Sequence, residues 1–130
     1  MKRIFFLFAI SCSLLFSGEI KWEKSYKDAT IKAMDENKTV MLMLSAHGCY
    51  ACDFMRDGPL KADSITKYIT ENFVPVELIM FEDIYPKKFE APGTPSFFFI
   101  DPKTDKRVGK DIIGGSKEKN FLKELKKATN

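Results

Sequence analysis

The run TVMLMLS, Thr39–Ser45, carries large apolar side chains at even and odd positions alike. Successive side chains of a strand point to opposite faces, so such a run is satisfied only where both faces are covered. That makes it a central strand between two layers of helix and excludes a sheet wet on one side. Four residues beyond it stand Cys49 and Cys52, heading a segment, Cys49–Arg56, that reads as the opening turns of a helix stopped at Gly58-Pro59. Everything else about the chain is arranged around that strand-to-helix junction.

Upstream, Trp22–Lys38 places Tyr26, Ala29, Ala33 and Met34 near helical spacing with charged residues between them. Downstream, Ala62–Phe73 reads as a helix with Ile65, Tyr68 and Ile69 on its core face and Asp63 or Ser64 as its cap. Phe73–Met80 is a strand whose Pro75 points to its start or to a sheet edge. After a loop rich in proline and charge, Ser96–Asp101 is another strand. The turn DPKTDK then leads into Arg107–Ile113 as an antiparallel hairpin. Gly114-Gly115-Ser116 is expected to cap a last amphipathic helix with Phe121, Leu122 and Leu125 on one face. The short EIKW, Glu19–Trp22, is a candidate edge strand. A crossover makes the first two strands parallel and the hairpin makes the last pair antiparallel. The fold class is α/β: a three-layer sandwich on a mixed central sheet with helices on both faces.

The chain of 130 residues is the size of one domain, and 45% hydrophobic against 30% charged residues is a globular composition. Its first 18 residues stand apart. Lys2 and Arg3 precede an apolar run from Ile4 to Phe16, followed by small Ser17 and Gly18, which is the build of a secretory signal. The division is therefore residues 1–18 as signal peptide and 19–130 as the folded domain. An uncut N-terminal anchor, a buried first helix, or a lipid on Cys12 are the other uses of that segment. Cleavage near Gly18 removes two of 21 basic residues, leaving 19 against 18 acidic ones and a net charge of +1. No basic field remains to argue for nucleic acid or an anionic membrane.

Cleavage also removes Cys12, so the mature chain keeps only Cys49 and Cys52, in a compartment outside the cytoplasm. A disulfide across so short a loop constrains the unfolded state little, which makes a structural staple a poor use of the pair. Redox exchange and metal binding remain. A thiol at a helix N-terminus faces unpaired N–H groups and the positive end of the dipole, so its thiolate is favoured. Cys49 would then be the exposed nucleophile and Cys52 the shielded resolving thiol. A structural zinc needs four ligands, and a second CxxC or a His pair is missing. Copper(I) held by Cys49, Cys52 and a third ligand from His47 or Met55 is the metallochaperone-like alternative.

At these residues a family comes into view. The CxxC after a buried strand, with Thr94-Pro95 some forty residues on at the start of another strand, resembles the thioredoxin superfamily. The likeness is closest to its secreted thioredoxin-related branch and runs from about Trp22 to the C-terminus. The resemblance implies a thioredoxin-like fold and a periplasmic thiol–disulfide oxidoreductase without cofactor or metal, working in the reductase or exchange direction. It implies a cis bond before Pro95, which faces the CxxC and with Thr94 binds the substrate chain as an added strand. Implied partners are cysteine-containing exported proteins and a membrane or periplasmic redox partner. Gly114-Gly115 resembles the family's glycine turn beside the same surface.

Departures from the family pattern locate the open chemistry. Gly48 replaces the usual tryptophan before the first cysteine, and Met43 stands where thioredoxin has a buried acid. A base for Cys52 must then come from Glu77, Glu90, Asp53 or water. The resemblance implies that the spacer Tyr50-Ala51 tunes the pair; His47 either stabilises the thiolate when protonated or is an exposed loop residue. Asp53, one turn after Cys49, would oppose it unless Arg56 neutralises the charge.

Overall fold

The computed structural model describes residues 18–129. The first 17 residues of the expected signal, Cys12 among them, lie outside the described part. The described chain runs α1 (Tyr26–Glu36), β1 (Thr39–Ser45), α2 (Tyr50–Asp57), α3 (Asp63–Asn72), β2 (Phe73–Ile79), β3 (Ser96–Asp101), β4 (Lys106–Arg107), β5 (Ile112–Ile113) and α4 (Glu118–Lys127). The strands form one mixed sheet in the order β2-β1-β3-β4, with β5 also pairing β3. β1 lies parallel to β2 from Thr39 opposite Phe73 to Ser45 opposite Ile79. It lies antiparallel to β3 from Val40 opposite Ile100 to Leu44 opposite Ser96. Among the described residues, no helix is long and apolar enough to cross a membrane.

The two faces of β1 feed two separate cores. Val40, Leu42 and Leu44 pack with Ala29 and Ala33 of α1 and with Val74, Val76, Phe98 and Ile100. Met41 and Met43 pack on the other side with Cys52 and Met55 of α2, Ile65 and Ile69 of α3, and Phe121 and Leu125 of α4. Each large apolar side chain buried in these layers contributes about 1.5–3 kcal/mol from removal of its surface from water. Aromatic contacts join the layers: the Phe97 and Phe121 rings lie 4.9 Å apart between β3 and α4.

Local chemistry explains where each element stops, and where it departs from expectation. Ser25 caps α1 by accepting from the Asp28 N–H, and Asn37 ends it in the left-handed region at φ 52°. Met34, expected near the core face, is 43% exposed; only Ala29 and Ala33 are small enough to let α1 lie close on the sheet. α3 begins one residue early, with Ala62 as N-cap and no side-chain cap bond, because Asp63 already lies in its first turn. Pro75 sits within β2, the outer strand, and its carbonyl accepts from Glu23 N–H at 2.9 Å. The N–H that proline lacks would point to that same outer side, so no bond to β1 is lost. The candidate edge strand at Glu19–Trp22 reduces to this single bridge between Glu23 and Val76.

The hairpin after β3 is broken into β4 and β5. Gly109 lies between them at φ +69°, and a Cβ there would stand 2.7 Å from the Ala128 Cα. The end of α4 fills the space a side chain at 109 would need, so glycine alone fits this left-handed position. Gly114-Gly115-Ser116 does not cap α4 either: its N-cap is Lys117, without a side-chain bond.

Candidate functional site

β1 ends at Ser45, three residues turn the chain, and Cys49 becomes the N-cap of α2. Its φ of −86° and ψ of 100° are extended, and its Sγ accepts from the Cys52 N–H at 3.2 Å, where a serine oxygen would otherwise serve. Gly48 precedes it at φ +66°, with no atom within 4 Å of where a Cβ would sit. A tryptophan there would meet left-handed strain before any clash. Cys49 and Cys52 form a disulfide with their Cα atoms 5.3 Å apart. The two sulfurs differ in access: Cys49 is half-buried and Cys52 wholly buried.

The other expected residues converge on the same place. The Thr94–Pro95 peptide bond is cis. Thr94 Oγ1 donates to Cys49 Sγ at 3.3 Å, which brings residues 45 positions apart in sequence into direct contact. The Pro95 carbonyl accepts from Gly114 N–H at 2.7 Å, so the glycine turn is fastened to the proline. A Cβ on Gly115 would meet Ala51 Cβ at 3.6 Å and Phe54 at 3.7 Å, which places that turn against the first turn of α2. Ala51 is therefore half-covered, whereas Tyr50 is 85% exposed beside the pair.

His47 has another partner. Its Nε2 lies 3.0 Å from Glu82 Oε2, in the loop that follows β2, and both side chains are exposed. Since a carboxylate only accepts, the imidazole nitrogen is the donor. Asp53 and Glu77 are both bound by Arg56: Nη1 donates to Asp53 Oδ1 at 2.7 Å and Nε to Glu77 Oε1 at 2.7 Å. The Glu77 hydrogen bond above all, opposed by burial and helped by the nearby carboxylates, holds the Arg56 guanidinium above its ordinary pKa. Both acids are thereby committed to a fixed cation. Glu90 is exposed at the end of a short turn before Pro92. Met55 Sδ is a hydrogen-bond acceptor for Ser116 N–H at 3.4 Å. Among the described residues, no three His, Cys, Asp or Glu side chains converge so as to hold a metal ion. Sequence reasoning did not single out the terminal residue of β1, Ser45, whose hydroxyl is buried under this site without a partner. Its signal was the one polar side chain at the end of an otherwise apolar run.

A thioredoxin-like domain profile matches residues 26–129. The chain belongs to the thioredoxin-like domain family. The solution structure of a thioredoxin from Thermus thermophilus is similar at a TM-score of 0.70 and 25% identity, over 83% of this chain and 85% of that one. A putative disulphide-isomerase from Bacteroides thetaiotaomicron superposes at a TM-score of 0.74, with 20% identity over 86% of this chain and 94% of the other. The C-terminal domain of DsbD from Neisseria meningitidis, in its oxidised form, gives 0.61 with 21% identity over 78% and 91%. Those two likenesses are of fold. No curated protein matches the sequence. A thioredoxin-like domain with a cystine closing the first turn of α2 is a thiol–disulfide oxidoreductase.

Proposed function

We propose that this thioredoxin-like protein works in the periplasm, delivered by residues 1–18 as a signal peptide, with residues 19–130 forming the working domain. There it reduces or exchanges disulfides in exported proteins and is recharged by a membrane or periplasmic redox partner. Cys49 is the nucleophile. Its sulfur attacks a partner's disulfide, forming a mixed disulfide and releasing the partner's other sulfur as a thiolate. Cys52 then attacks Cys49 Sγ, closes the internal disulfide and frees the second partner sulfur. Thr94 and Pro95 bind the partner chain beside Cys49. Tyr50, Ala51 and His47 border the nucleophile and shape its surroundings.

The reading is carried by one observation: the accessible sulfur is the one that takes hydrogen bonds from the helix N–H and the Thr94 hydroxyl. Donors aimed at a sulfur favour its charged, attacking form. The buried sulfur is reachable only from within.

Replacing Cys52 by Ser tests it. In cells the Cys52→Ser chain should accumulate as mixed disulfides with exported proteins, visible as heavier bands that reducing agent removes. A Cys49→Ser control should show none. Equal band patterns from both variants would refute the assignment of roles. Mass spectrometry of the mature N-terminus reads the processing of residues 1–18. The potential of the pair reads the direction, a reductant lying near about −270 mV and a strong oxidant near about −120 mV.

A further inference from the structure

Ser45 is fully buried, and its Oγ has no hydrogen-bond partner, neither sulfur included. An unpaired buried hydroxyl is a net cost to a fold, and alanine would fill the end of this strand without it. Its position is specific. Side chains 41, 43 and 45 share one face of β1, and Met41 and Met43 on that face pack in the layer that contains Cys52. Leu44 pairs with Ser96, so the register sets Ser45 opposite Pro95, whose neighbour Thr94 touches Cys49 Sγ. Four residues after Ser45 the chain has returned as Cys49. The hydroxyl therefore sits at the end of β1 that leads into the redox pair, on the strand face that carries the Cys52 layer.

We propose that Ser45 Oγ is the hydrogen-bond donor that the Cys52 sulfur gains when the disulfide opens, and that it holds the resolving thiolate for attack. The proposal rests on Cys52 resolving the mixed disulfide. In the closed disulfide the Cys52 sulfur is bonded to Cys49 Sγ and takes no hydrogen bond from the Ser45 hydroxyl. On opening it becomes a thiol and then a thiolate, a strong acceptor freed from its covalent partner. In the resolving step Cys52 loses its proton and its thiolate forms a bond to Cys49 Sγ. The bond from Cys49 to the partner sulfur breaks with its electron pair on the partner. The departing thiolate takes up a proton, which balances the one Cys52 lost. Ser45 keeps its own proton throughout and favours the charged sulfur by donating to it.

Beside Ser45, the other buried hydroxyl without a partner among the described residues is that of Ser116, whose N–H binds Met55 Sδ. On the Ser45 face β1 offers Met41 and Met43, β3 offers Phe97 and Phe99, and α4 offers Phe121 and Leu125. Of the charged side chains on β2 and α2, Glu77 and Asp53 both bind Arg56, and Asp57 pairs with Lys61; Asp101 stands at the far end of β3. His47 is exposed and paired with Glu82.

The test uses the full reduced chain and 5,5′-dithiobis(2-nitrobenzoate), followed at 412 nm. The first release of thionitrobenzoate reports attack by Cys49; the second reports resolution by Cys52. In Ser45→Ala the second phase should slow about tenfold near pH 7–9, and its pH profile should move up by about one unit, as loss of a donor to the charged form requires. The first phase should keep its rate and profile, and Ser45→Thr, which retains the hydroxyl, should restore the second. The oxidised Ser45→Ala protein should melt no lower than the parent. A second phase with an unmoved pH profile, even if uniformly slower, overturns the proposal. Release of only one thionitrobenzoate per parent chain would instead refute Cys52 as the resolving thiol.

Discussion

The hydroxyl of Thr94 can be removed with almost no change of shape by Thr94→Val, which keeps the β-branch and takes away only the donor to Cys49 Sγ. That donor lies 3.3 Å from the sulfur, and both residues are half-buried. A hydrogen bond to a charged group contributes about 1.5–3 kcal/mol net, and partial exposure favours the lower end. Since one pKa unit corresponds to about 1.36 kcal/mol, the Cys49 thiol should titrate about one unit higher in Thr94→Val. At pH values where Cys49 is ionised, the lost stabilisation falls on the reduced form. The two-electron potential should then become about 30 mV more negative. Thiolate absorbance at 240 nm and the pH dependence of iodoacetamide alkylation read the first quantity; equilibration with glutathione reads the second. Thr94→Ser keeps the donor and should follow the parent. If Thr94→Val titrates like the parent in both assays, the Thr94 contact is packing and has no part in stabilising the thiolate.

Two further substitutions test the frame. Gly109→Ala combines left-handed strain with a Cβ 2.7 Å from the Ala128 backbone. It should cost about 2–4 kcal/mol and lower the melting temperature by about 10 °C or more, whereas Gly48→Ala, with open space at a similar φ, should cost about 1 kcal/mol. Asp105 accepts from Lys88 Nζ and the Tyr26 hydroxyl, and the Lys88 bond, then Tyr26, hold its carboxyl below the ordinary value of 3.8. That contribution is present above the unfolded pKa and is lost as pH falls through the folded one, so Asp105→Asn should flatten the acid limb of a stability-versus-pH curve. Burial, reinforced by Asp105, raises Tyr26 above its usual range. The folded protein therefore holds a proton that the unfolded chain gives up, and stability should decline as pH rises past about 10. Tyr26→Phe should remove that decline in urea titrations.

The central strand was legible because its periodicity left a single solution: both faces of Thr39–Ser45 are covered, as the pattern of apolar side chains requires. The helix after the cysteines, the edge position of Pro75 and the antiparallel return after Ser96 followed from local rules of the same kind. Helix caps read less well. Asp63 and the Gly114-Gly115 pair have the composition of caps, but the first sits inside its helix and the second is held by Pro95 and Ala51. Competing tertiary bonds decide such positions, and they leave no local trace. Asp53 with Arg56, three residues apart, was legible as a charge pair, but long-range charge pairing was not, for a related reason. His47 and Glu82 are 35 residues apart, Arg56 and Glu77 are 21 apart, and only the parallel pairing of β1 with β2 brings them together. Family resemblance implied that Pro95 faces the cysteines, since no spacing rule connects residues 45 apart; the bond from the Thr94 hydroxyl to Cys49 was not anticipated.

The surface around Cys49 is drawn from three stretches, 49–52, 94–95 and 114–116, and the last is bonded to Pro95 through Gly114 and to Met55 of α2 through Ser116. A ribosome delivers the cysteines when well over half of the polypeptide is still unmade. Both thiols are thus made long before the Thr94 hydroxyl and the glycine turn that surround them. The surroundings of Cys49 are complete only once the 94–95 and 114–116 stretches have been made and joined by the Gly114–Pro95 bond.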